Sequence, residues 1–159
     1  MEPDPELIEK LRRSGIRVDR EGELIHEGEV IRHEGLRRAL FRWMDRLDDG
    51  RYILRLDERR FAYLDVEDTP LVVRAARVDD DRAGATLQLS DGAEERLDPI
   101  TLTVDVRGIL RCWVRDGRLE ARLSTSAATA VSELIIETPQ GPAMVLGQER
   151  PQLLVRRWG

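Results

Sequence analysis

The sequence predicts an α+β fold: antiparallel sheets with two main helices plus a short N-terminal helix, and two structurally related halves. Three features of the 159-residue chain carry that prediction. Ile16 to Leu56 reads as strand, turn, helix, turn and strand. After Gly50 the apolar pattern changes to a period of two, in short runs separated by turn residues. A second helical stretch then opens near Ser124, between further short strands.

The N-terminal helix is expected over residues 1–15, with Asp4 as cap, Pro5 in the first turn, Leu7, Ile8 and Leu11 as its apolar stripe, and Gly15 at its exit. Ile16–Asp19 and Glu23–His26 form a hairpin through Arg20-Glu21-Gly22, and the Glu27-Gly28-Glu29 turn leads to another short strand. The strongest helix spans Glu34 to Leu47, where Leu36, Leu40, Trp43, Met44 and Leu47 share a face. Asp48-Asp49-Gly50 ends it. Tyr52–Leu56, Phe61–Asp65, Leu71–Val78 and Thr86–Leu89 read as an antiparallel meander, with Asp79–Ala83 as a solvated tip.

Ile100–Val106, Ile109–Val114 and Arg118–Leu123 are the next strands. Ser124 to Ile136 is the second helix, capped by Ser124 or Thr125, with Ala128, Val131, Leu134 and Ile135 on one face. Pro139-Gln140-Gly141-Pro142 breaks it, and Ala143–Leu146 and Gln152–Arg156 finish the chain. Residues 16–98 form a first α+β half and 99–159 a second. Hairpin, helix and glycine turn follow one another in both halves, the outline of a degenerate repeat.

Composition narrows the function classes. The chain carries 26 basic and 31 acidic residues, a net charge of −5, so no nucleic-acid partner is expected: phosphate binding needs a basic face. Lys10 is the sole lysine, which the codon usage of a GC-rich genome explains. Cys112 is the sole cysteine, so no intramolecular disulfide forms, and its apolar neighbours predict a buried, inert thiol. No signal-like or membrane-spanning run is present, and the expected setting is the cytoplasm.

The stretch Ile16 to Val78 resembles the bacterial family called domain of unknown function 1285. The resemblance lies in Ile16-Arg17-Val18-Asp19-Arg20-Glu21-Gly22, in the helix ending Leu47-Asp48-Asp49-Gly50-Arg51-Tyr52, and in Val66-Glu67-Asp68-Thr69-Pro70-Leu71. The second half follows through spacing and Gly117-Arg118-Leu119-Glu120-Ala121. The resemblance implies a two-part α+β fold with related halves, no established activity, an involvement in signalling, and no catalytic residue to carry over. Ser126-Ala127-Ala128-Thr129 stands where members tend to carry an arginine and paired aromatics, which implies a smaller pocket there or none.

Asp65, Glu67 and Asp68 are the acidic cluster to weigh for ligand binding, since carboxylates supply acid–base groups and hard oxygen ligands. The competing and preferred account makes Asp68-Thr69-Pro70 a turn that launches the next strand. Trp113 is a further candidate, as core or pocket wall. His26 and His33 lack the spacing of a helical metal pair, and no serine sits in a nucleophile elbow. Arg37, Arg38, Arg42 and Arg46 make a basic but solvated helix face.

No catalytic residue, metal or cofactor is expected. The reading is a non-enzymatic small-ligand-binding or regulatory module linked to signal transduction. The alternatives are a small enzyme using the carboxylates around Asp65–Asp68, or a protein–protein interaction subunit. The partner is a small molecule or a protein, with no membrane and with oligomerisation open.

Overall fold

The structure, a computed structural model, describes Pro5 and residues 12–157. The N-terminal helix expected over 1–15 rests on residues outside that range, as does Trp158; Arg13–Gly15, assigned to it, open a strand instead. The chain forms two compact units, Met1–Pro70 and Leu71–Gly159.

The first unit is built on a six-stranded sheet in the order β3-β2-β1-β6-β5-β4. Its strands are β1 (Arg13–Val18), β2 (Leu24–His26), β3 (Glu29–Val30), β4 (Met44–Arg46), β5 (Tyr52–Arg55) and β6 (Phe61–Val66). The β1–β2 turn is organised by Asp19, whose Oδ1 accepts from the Glu21 and Glu23 amides at 3.0 and 2.8 Å. β1 runs parallel to β6, with Arg13 beside Tyr63 and Val18 beside Val66, and the register shifts in between. Val18, Leu24, Ile53, Leu54 and Leu64 are buried in its core, with Leu40 and Phe41 of helix α1 (Glu34–Trp43).

α1 starts where the sequence places it. His33 is the N-cap, its Nδ1 accepting from the Leu36 amide at 3.0 Å, so that nitrogen carries no proton in this geometry. The helix ends earlier than expected. Met44 and Leu47 continue the 3.6-residue pattern, but the backbone turns extended at Met44, which pairs with Leu54 and is buried as a strand residue. Arg46 therefore stands on β4, and Glu34 faces Arg38 and Arg37 at 3.6 and 3.8 Å on the helix.

The second unit holds a seven-stranded sheet, β16-β10-β11-β12-β7-β8-β9, and a three-stranded one, β13-β14-β15. The strands are β7 (Leu71–Val78), β8 (Ala85–Leu89), β9 (Glu94–Arg96), β10 (Thr103–Asp105), β11 (Leu110–Val114), β12 (Leu119–Leu123), β13 (Ile135–Thr138), β14 (Gly141–Met144), β15 (Gln152–Leu153) and β16 (Val155–Arg157). Pro99–Thr101 is a 3-10 turn, not strand. β7 pairs antiparallel with β8 and parallel with β12, so the strands of 71–98 belong with the second unit. The division falls at Pro70, not at residue 98.

The class is α+β, with mixed sheets in place of purely antiparallel ones: β1–β6, β7–β12 and β10–β16 are parallel. Helix α2 (Thr125–Ser132) packs on β7 and β12, capped by Ser124 Oγ, which accepts from the Ala127 amide at 3.1 Å. It stops at Ser132, and Ile135–Thr138 pairs with β14 across the Pro139–Gln140 turn. The Asp79–Asp81 tip is a turn in which Asp79 takes both Arg96 terminal nitrogens, at 2.7 and 2.6 Å.

Cys112 lies on β11, fully buried. Burial, with the nearby carboxylates of Glu95, Glu120 and Asp98, pushes its thiol up to about 12. The thiolate is the reacting species, so native protein treated with iodoacetamide near about pH 8 should remain unmodified. The urea-unfolded chain should alkylate completely under the same conditions; equal labelling of both forms, read by mass spectrometry, would refute this burial.

Candidate functional site

The parallel pairing of β1 with β6 opens a cavity of about 630 Å³ on the first unit. Its wall comes from three places in the chain: Arg13, Ser14 and Gly15 on β1; Gly50, Arg51 and Tyr52 entering β5; and Tyr63 to Val66 with Asp68 at the end of β6. The register shift between Arg13 and Arg17 gives β1 more residues than β6 over this stretch, which bends the strand away. Gly15 takes a positive φ of 71° within that irregularity, a conformation that favours glycine. Ser14 fastens the wall: its Oγ donates to the Tyr63 carbonyl at 2.6 Å and accepts from the Ile16 amide at 3.1 Å.

The aromatic part of the wall is fixed by stacking. Tyr63 meets Phe61 edge-on at 5.8 Å, and the Arg51 guanidinium lies 4.8 Å from the centre of the Tyr63 ring. Arg51 is also bound through its amide and Nε to Asp49, at 3.0 and 2.8 Å. Hydrogen bonds from the Arg51 backbone and side chain hold the Asp49 carboxyl below its ordinary range. The same pairing raises the Arg51 guanidinium.

The structure brings together two of the four residues proposed from sequence. Asp65, exposed on β6, and Asp68, half-buried after it, both line the cavity. Glu67 does not. β6 ends at Val66, and Glu67 turns to the β1–β2 hairpin, accepting from the Arg20 amide at 3.0 Å and facing Arg17 at 3.9 Å. It latches that turn, and Thr69, fully buried beyond it, leads into β7. Trp113 belongs to the second unit, half-buried on β11 opposite Glu120, and its amide donates to Thr101 Oγ1 at 3.1 Å.

Arg13, Ser14, Tyr52 and Tyr63 were not legible as a site, because a pairing between residues 49 apart assembles them. The alternation Phe61, Tyr63, Asp65 after Arg51 was the one local sign. His26 sits on β2 near Gly15, and among the described residues no three His, Cys, Asp or Glu side chains cluster as metal ligands. No helix among them is long and apolar enough to cross a membrane. Another cavity, about 360 Å³, lies in the second unit between Val104–Val106, Gly108, Glu137, Pro142 and the arginines of β16.

No family model and no curated protein matches the chain. Among solved structures it is similar to a DUF1285 family protein from Silicibacter pomeroyi DSS-3, at 18% identity and a TM-score of 0.73, over 90% of this chain and 80% of that one. A DUF1285 family protein from Shewanella baltica OS155 is similar at 15% identity and a TM-score of 0.57, over 70% of this chain and 84% of that one. Likeness at these identities speaks to the backbone and not to the site. The chain is DUF1285-like, in that it carries the α+β fold of those family proteins.

Proposed function

We propose that the protein is a non-enzymatic small-ligand-binding module of the bacterial cytoplasm, with a regulatory role in signal transduction, and that its ligand occupies the cavity between β1, β5 and β6. The supporting observation is the cavity itself: its volume of about 630 Å³ is that of a small-molecule site, and tyrosines, arginines and aspartates converge on it. Its one hydroxyl nucleophile of the serine type, Ser14, is committed to the Tyr63 carbonyl, so binding fits the wall better than covalent turnover.

A metabolite screen by thermal shift tests this. At a ligand concentration hundredfold above its Kd, linkage gives about 2.7 kcal/mol, which is about 5–10 °C in Tm for a chain of this size. At least one compound should produce such a shift in the wild type and not in Tyr52→Ala. A broad screen with no shift that depends on the cavity would end the reading. The convergence of Asp65 and Asp68 on one cavity favours a second reading, a small enzyme using those carboxylates. That reading requires turnover that Asp65→Asn and Asp68→Asn each abolish while binding persists.

A further inference from the structure

We infer that the ligand of this cavity is a small zwitterion, an aliphatic amino acid with its carboxylate and ammonium at opposite ends, an inference that rests on the cavity being a ligand site. The wall carries two charges of opposite sign, Arg13 and Asp65, and neither side chain has a hydrogen bond or ion pair among the described residues. They do not pair with each other. Arg13 is in register with Tyr63, and Asp65 lies two residues further along the same strand, roughly 7 Å away at strand rise.

Both arginines that flank Asp65 are engaged elsewhere. Arg17, its register partner on β1, is directed to Glu67 at 3.9 Å. Continuing the β5–β6 register past Ile53 and Tyr63 sets Arg51 across from Asp65, but its guanidinium is drawn to Asp49 at 2.8 Å. The Asp65 carboxyl is thereby left open to an incoming cation, with the Asp68 carboxyl on the same cavity. Tyr63, in register with Arg13 and on the same face as Asp65, offers an apolar ring suited to a methylene chain, and Tyr52 lines the cavity as well.

A ligand with one charge would cover the wall and strip water from the opposite pole without replacing it, so a monopole is selected against. Each charge-assisted hydrogen bond is worth about tenfold or more in affinity. The probe is 6-aminohexanoate, whose extended chain spans a comparable distance, compared with hexanoate and hexylamine by calorimetric and NMR titration of the full chain. The zwitterion should bind at least about tenfold more tightly than either comparator.

The variants sharpen the test. Asp65→Asn should reduce 6-aminohexanoate to the affinity of hexanoate while leaving hexanoate unchanged. Arg13→Gln should reduce it to the affinity of hexylamine and leave hexylamine unchanged; a merely misfolded variant would lose both. Comparable affinity for all three probes, no binding of 6-aminohexanoate, or shifts mapping away from Arg13 and Asp65 would overturn the zwitterion. The cavity reading survives those outcomes if the metabolite screen still gives Tyr52-dependent shifts, and falls with it only if that screen is also blank.

Discussion

Leu119→Ala is expected to lower the stability of the protein by about 3 kcal/mol. Leu119 is fully buried on β12, opposite Val114 of β11, and on the same face as Ala121 and Leu123. β12 is an interior strand, paired on its other side with β7, where Leu71 and Val73 are buried as well. Helix α2 closes the layer through Ala127 and Val131. Hydrogen-bonded strands on both sides cannot move inward to fill the void, so the lost transfer energy and the residual cavity both count.

The effect should be read as a lower urea midpoint at unchanged slope. Leu153→Ala is the control: Leu153 is 51% exposed on β15, and its truncation should stay within about 0.5 kcal/mol. If the two variants cost the same, Leu119 is not where the structure places it.

What could be read from sequence was local. The Ser124 cap, the helix start at Glu34, the turns at Asp19–Gly22 and Asp79–Asp81, and the burial of Cys112 each depend on a few adjacent residues, and each is found. What could not be read was pairing. Period-two segments look alike whether they run parallel or antiparallel, so β7 looked like the next strand of a meander and instead joins β12. The helix ends were hidden for a related reason: Met44 and Ile135 fit a helical stripe, yet hairpin partners at Leu54 and Met144 hold them extended. Tertiary pairing overrides the local period there. The same blindness reached the site, because Asp65 and Asp68 form a visible acidic cluster whereas Arg13 and Tyr63 meet only through the β1–β6 pairing.

Asp91→Ala should cost about 2–3 kcal/mol, through a turn that is strained without its anchor. The β11–β12 connection places Arg115, Asp116 and Gly117 at φ of 50°, 55° and 78°, successive left-handed residues of which Gly117 suits that region, Asp116 tolerates it and Arg115 does not. Arg115 is held there from two sides. Its amide is shared between the Glu95 carboxylate oxygens at 3.0 and 3.1 Å, and its guanidinium meets Asp91 at 2.6 Å. The Asp91 side chain is 6% exposed and Arg115 26%, so this pair escapes most solvent screening. Asp91 Oδ1 also accepts from the Ala93 amide at 2.8 Å, so its removal loosens the β8–β9 turn too.

Arg115→Ala should be similarly costly. Arg115→Gly should be less so by about 1 kcal/mol, since glycine relieves the left-handed backbone while losing the same bridge. The Asp91→Ala and Arg115→Ala double variant should then fall short of the summed single losses by about 1–2 kcal/mol, the coupling of a bonded pair. Urea unfolding of the four proteins measures it. Additive losses would mean that the bridge carries no stability, and Arg115→Gly as costly as Arg115→Ala would mean that the turn stores no strain.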